Sequence, residues 1–151
     1  MQKIPTLFLR DPATHLVTPE VTPECSWVLD GVGTASRKFH GSCCRIHKGV
    51  VYKRREVPPE GQPPRGFMDC CEPLADGWLI GWLAVGDTAE DQWHREAMGF
   101  VFLCWDAQMG CHSAVPLAEA PDGTYELCGP RVQGNPERFG HHLLIPHGLV
   151  V

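Results

Sequence analysis

Residues 43–55, Cys43-Cys44-Arg45-Ile46-His47-Lys48-Gly49-Val50-Val51-Tyr52-Lys53-Arg54-Arg55 (CCRIHKGVVYKRR), read as strand, turn and strand. Cys43 to Ile46 form the first strand, His47-Lys48-Gly49 the turn, and Val50 to Arg55 the second strand. Strands joined this closely pair antiparallel, because a parallel pair needs a long crossover. The hairpin is also rich in one sign of charge. Seven of the 13 basic residues fall between Arg37 and Arg55, with no acidic residue among them. Such a run is either a solvated basic hairpin or an anion site suited to phosphates.

Working upstream, Ser26 to Leu29 reads as a short strand, Asp30-Gly31 as a turn and Thr34 to Lys38 as another strand. Downstream, Pro58 to Gly66 (PPEGQPPRG) cannot join a central sheet, since proline has no N–H to donate. Trp78 to Val85 (WLIGWLAV) reads as a buried strand pair or one bent strand. Thr88-Ala89-Glu90-Asp91 resembles a capping box, opening a helix that reaches about Met98 before Gly99 stops it. Phe100 to Trp105, Thr124 to Cys128 after the Asp122-Gly123 turn, and His142 to Ile145 complete the strands. Many short strands with one clear helix predict an α+β domain of antiparallel sheets with few helices, one domain over residues 1–151.

Composition narrows the class. A chain of 151 residues with 43% hydrophobic content buries a core and is not a disordered polymer. The apolar runs are too short and too interrupted by glycine to span a membrane. Pro5, Arg10 and Asp11 break the N-terminal apolar patch, so it does not read as a signal peptide. Eight cysteines occur without any CxxC spacing, and the adjacent pairs Cys43-Cys44 and Cys70-Cys71 read as small apolar residues in a reduced, cytoplasmic protein. A net charge of −5 argues against nucleic-acid binding by bulk attraction, leaving the basic segment as a local feature.

Four pieces stand out together: Lys38-Phe39-His40-Gly41, Tyr52-Lys53-Arg54-Arg55, Gly81 to Val85, and Gly123 to Asn135 (GTYELCGPRVQGN). A KxHG motif, a basic strand and a strand reading ELxGPxxQGN in this order resemble the adenylation domain of ATP-dependent RNA ligases. The likeness is greatest to the RNA ligase family shared by animals and bacteria, and it runs from about Pro5 to Gly148. It implies the antiparallel sheets of a covalent nucleotidyltransferase domain.

The chemistry of such ligases accounts for the residue types. A lysine amine attacks the α-phosphate of ATP and carries AMP as a phosphoramidate, and the amine must be neutral to do so. Fixed positive charge nearby favours that neutral form, and Arg37, Arg54 and Arg55 are candidates to supply it. Gly41 lets the backbone turn tightly beside the nucleotide.

By resemblance, Lys38 is the catalytic nucleophile, and His40 and Gly41 belong to its nucleotide-binding motif. Arg54 or Arg55, with Arg55 favoured, matches the basic residue near the nucleotide sugar and the RNA end. Glu126 matches the glutamate that contacts the ribose or a metal-bound water. Gln133 and Asn135 either serve the site or cap a turn, and the adenine is expected to stack on Trp105, His147 or the last strand. ATP, Mg2+ and RNA ends are the implied cofactors and partners. His94 beside Glu96, and His141-His142 with His147, lack the further ligands of a metal centre.

The resemblance also implies an EGxV glutamate and a KxK lysine pair, and neither is present. The lysines are Lys3, Lys38, Lys48 and Lys53, and the last glutamate is Glu137. The chain closes on the apolar run LLIPHGLVV, so it reads as an adenylation domain incomplete at its C-terminus. Two functions follow: an RNA ligase sealing a 5′-phosphate to a 3′-hydroxyl, or an inactive nucleotide- or RNA-binding module of the same family. A DNA ligase or capping enzyme fits less well, because the QGN motif favours RNA ligases.

Overall fold

The computed structural model describes residues 5–99, 101–106 and 111–149. The chain falls into two compact units, Gln2–Ala35 and Ser36–Val151. In the first, β1 (Phe8–Arg10) pairs antiparallel with β2 (Val17–Val21), with Phe8 opposite Val21. The turn between them is built on Asp11, whose carboxylate accepts the N–H groups of Ala13 and Thr14 at 2.9 and 2.7 Å. The strand expected over Ser26–Leu29 is instead part of a 3-10 helix, Pro23–Val28. Pro23 sets the helical φ at the first turn, and the Cys25 and Leu29 N–H groups bond back to the carbonyls of Thr22 and Ser26.

The second unit is organised by an eight-stranded sheet. Its strands are β3 (Ser42–His47), β4 (Val50–Val57), β5 (Met68–Asp69), β6 (Leu79–Ala84), β7 (Val101–Asp106), β8 (Cys111–Val115), β9 (Gly123–Cys128) and β10 (Leu143–Pro146). Their order across the sheet is β5-β6-β4-β3-β9-β10-β7-β8. The expected hairpin is present as β3–β4, with Ile46 opposite Val51 and Lys48-Gly49 in the left-handed turn. Trp78–Val85 contributes one strand, not a pair, because β6 runs alongside β4 for six consecutive partners. No ladder forms over residues 34–40. Within that stretch the Arg37 N–H bonds the Leu149 carbonyl instead.

The mixed α+β class with mostly sheet and few helices holds, with one amendment to the expected antiparallel pairing: β10 pairs parallel with β7. Two further strands, β5 and β8, have weak local signals: β5 is only two residues long, and in β8 (CHSAV) Val115 is the one β-branched residue. The helix is shorter than expected, with a 3-10 turn at Ala89–Asp91 leading into α1 (Gln92–Ala97). Thr88 makes no capping bond. The acidic residue that would complete a capping box, Asp91, is turned to Lys53 Nζ at 2.6 Å and the Gly86 N–H at 2.8 Å.

Alternation along each strand sorts the side chains onto two faces. One face carries Cys44, Ile46, Val51, Tyr125, Leu127 and Leu144, packed with Ala97 of α1. The other carries Phe102, Cys128, Leu143 and Ile145, with Phe39 and Phe139 against them. The segment before β3 and the loop after β9 thus lie over the second face. Burying Tyr125, Ile46 or Leu144 entirely contributes roughly 1.5–3 kcal/mol for each side chain. Among the described residues no helix is long and apolar enough to cross a membrane.

Candidate functional site

Glu126 lies on β9, opposite Cys43 of β3 on one side and Ile145 of β10 on the other. Both of its carboxylate oxygens are engaged. The Gly41 N–H donates to Oε1 at 2.9 Å, and His147 Nε2 lies 2.8 Å from Oε2. The Glu126 side chain retains 14% exposure, so the group is shielded but reachable.

Gly41 is required here by contact rather than by dihedral angle. A Cβ at this position would lie 2.0 Å from the Leu127 carbonyl oxygen and 3.0 Å from Glu126 Cγ. Only a bare backbone lets the segment carrying Lys38 lie against β9. The same segment is held by Cys128 Sγ against the His40 carbonyl at 3.9 Å and by the Arg37 N–H to Leu149. Lys38 and His40 are both solvent-exposed on it.

Pairing register separates the two arginines of β4. Cys44 is opposite Lys53, so Cys43 is opposite Arg54, and Arg54 shares the face of Glu126. Arg55 projects from the other face, where Arg55 Nη1 bonds Glu90 at 3.1 Å beside the buried Lys53–Asp91 pair. Arg54 instead pairs with Glu56. Arg37 pairs with Glu137 and lies 4.6 Å over the Phe39 ring. Each arginine expected to surround Lys38 with positive charge is therefore matched by a carboxylate.

Cys43 sits between Glu126 and Arg54. Burial pushes its thiol up to about 11, the Glu126 carboxylate adds to the rise, and Arg54 opposes it. The Cys128 thiol is raised to about 12, first by burial and then by Glu126 and Glu137. Neither is a nucleophile at neutral pH.

The loop after β9 is built by Asn135. Its side chain accepts the Phe139 N–H and donates to the Phe139 carbonyl, both at 3.0 Å, so it serves the turn. Gln133 is exposed in a left-handed turn conformation, φ 47°. A cavity of about 420 Å3 is lined by Asp122, Thr124, Tyr125, Pro146 and His147 among others. The Trp105 side chain lies outside the described residues.

His142 and His94 are packed into the fold. His142 is buried and stacked on Trp93 at 4.7 Å between ring centroids, and its Nε2 accepts the Arg131 N–H at 3.3 Å. Burial holds the imidazole of His94 below its ordinary titration range. Among the described residues no three His, Cys, Asp or Glu side chains converge on a cation. The tie between His147 and Glu126 left no mark in the sequence, since it depends on the β9–β10 register and the turn beyond it.

No family model matches the chain. It is 32% identical over 90 residues to RNA ligase 1 of Pongo abelii, an alignment that takes in 50% of this chain and 28% of that protein. The chain is therefore similar, over half of its own length and little more than a quarter of the relative's, to a protein named as an RNA ligase.

Proposed function

We propose that this chain is an RNA-ligase-like nucleotidyltransferase in which Lys38 takes AMP from ATP. The observation that carries the reading is the bond from Gly41 to Glu126, which joins the KxHG segment to the ELxGPxxQGN strand 85 residues away. The likeness to RNA ligase 1 supports the substrate class.

In this reading the neutral Lys38 amine attacks the α-phosphorus, an N–P bond forms, and the bond to the bridging oxygen breaks to release pyrophosphate. The amine proton passes to solvent, which reaches the exposed Lys38. The 5′-phosphate of an RNA then displaces lysine to give RNA–adenylate, and a 3′-hydroxyl displaces AMP to seal the strand. Magnesium bound to the nucleotide neutralises phosphate charge. Glu126 receives the ribose side of the nucleotide, and Arg54, on the same face, is the better-placed arginine for its phosphates or the RNA end.

A second reading is a nucleotide- or RNA-binding module without adenylation. It is favoured by the carboxylate partners of Arg37, Arg54 and Arg55, which offset the field needed to keep an amine neutral. The two readings separate in a sealing assay with ATP, magnesium and an RNA bearing a 5′-phosphate and a 3′-hydroxyl. Joining that disappears in Lys38→Ala supports the ligase. RNA retention without joining or AMP release supports the module.

A further inference from the structure

We infer that His147 is a positioning residue for Glu126, holding the carboxylate in the orientation that a nucleotide meets; this rests on the nucleotide-binding reading above. Glu126 has a backbone donor on one oxygen, Gly41, and a side-chain donor on the other, His147. A carboxylate on a strand can rotate about its side-chain torsions. Two donors from opposite sides remove that freedom, as partners behind a ligating group commonly do.

His147 is itself anchored. Its backbone N–H bonds the Thr124 carbonyl at 3.0 Å, so the residue is tied to β9 two positions before Glu126. His147 also lines the 420 Å3 cavity, and its side chain is 32% exposed against 14% for Glu126, so it is the more open member of the pair. With Nε2 2.8 Å from the carboxylate, this ring nitrogen is the one that donates to Glu126. The imidazole thus works through its edge, which is a different use from presenting its face to an adenine.

The two uses predict opposite patterns of rescue. Glutamine places its amide N–H near the Nε2 position and keeps the donor. Phenylalanine keeps the flat face and loses the donor. The probe is the α,β-methylene analogue of ATP with magnesium, titrated against the chain and its His147→Ala, His147→Gln and His147→Phe variants, with melting temperatures recorded for each. Positioning predicts about a tenfold loss of affinity in His147→Ala and His147→Phe and substantial recovery in His147→Gln. In parallel, the His147 Nε2 proton should give an NMR signal protected from exchange by its bond to Glu126 in the wild type, and lose that protection in Glu126→Ala.

Failure of the wild type to bind the analogue overturns the nucleotide reading and this inference with it. Wild-type binding that His147→Ala leaves unchanged overturns this inference alone. Recovery by phenylalanine and not glutamine overturns it in favour of stacking. Should His147→Ala melt early, the glutamine–phenylalanine comparison and the exchange protection of the Nε2 proton still decide.

Discussion

The Gly41 N–H donates to Glu126 Oε1 across 2.9 Å, joining the lysine-bearing segment to the central strand of the sheet. Everything proposed for the site depends on that approach. The contact distance for a Cβ at position 41 shows how little room the approach leaves.

Gly41→Ala is expected to push the 36–40 segment off β9, since the added carbon would sit 2.0 Å from the Leu127 carbonyl. Overpacking of this kind costs about 1–3 kcal/mol, measurable by denaturant titration. Nucleotide affinity should fall more than stability does, because Glu126 also loses a donor. Wild-type affinity in Gly41→Ala would mean that the contact is not part of a nucleotide site.

Arg54 and Arg55 should behave differently despite being neighbours. Arg54→Ala is expected to weaken nucleotide or RNA binding, since Arg54 shares the face of Glu126. Arg55→Ala removes an exposed pair with Glu90 and should cost no more than about 1 kcal/mol of stability, with binding unchanged. Binding titrations on both variants test this, and the reverse ranking would place the site on the other face.

The thiols offer a chemical readout of Glu126. Cys43 and Cys128 are raised to about 11 and about 12, with Glu126 contributing after burial in each case. Both should resist iodoacetamide at pH 8 in the folded protein and react on unfolding. Glu126→Gln should speed modification of both, as mapped by peptide mass spectrometry. Unchanged rates would mean that burial alone sets the reactivity of both thiols.

Asp91 anchors the start of α1 to β4 through Lys53, and both side chains are buried. Burial raises the Asp91 carboxyl, but the Lys53 ammonium and the Gly86 N–H outweigh it and hold the group below its usual range. A depressed carboxylate contributes stability above its unfolded pKa and loses it as pH falls through the folded one. Unfolding free energy should therefore drop as pH falls below about 4, and Asp91→Asn should flatten that limb. Asp91→Ala leaves Lys53 with Glu90, 3.2 Å from its Nζ, and should cost about 1.5–3 kcal/mol for the charged hydrogen bond removed.

Much of the sheet was legible because its signals are local. The β3–β4 hairpin followed from a turn between two short strands, and β9 from the Asp122-Gly123 turn before it. The failures arise where a nearby turn former or a tertiary contact overrides the expected strand or helix. Ser26 to Leu29 is apolar enough for a strand, yet Pro23 starts a 3-10 turn there. Thr88-Ala89-Glu90-Asp91 has the residues of a capping box, but Lys53 takes the aspartate that would close it. The same limit applies to the site. Lys38, Gly41 and Glu126 could be named from their motifs, whereas the face occupied by Arg54 and the contact from His147 require the register of strands distant in sequence.

The most direct test of the account is incubation of the chain with α-labelled ATP and magnesium, followed by denaturation and mapping of any labelled peptide. The account predicts an acid-labile AMP adduct on Lys38, present in the wild type and lost in Lys38→Ala. A label that persists in Lys38→Ala, or that maps to another residue, would contradict it.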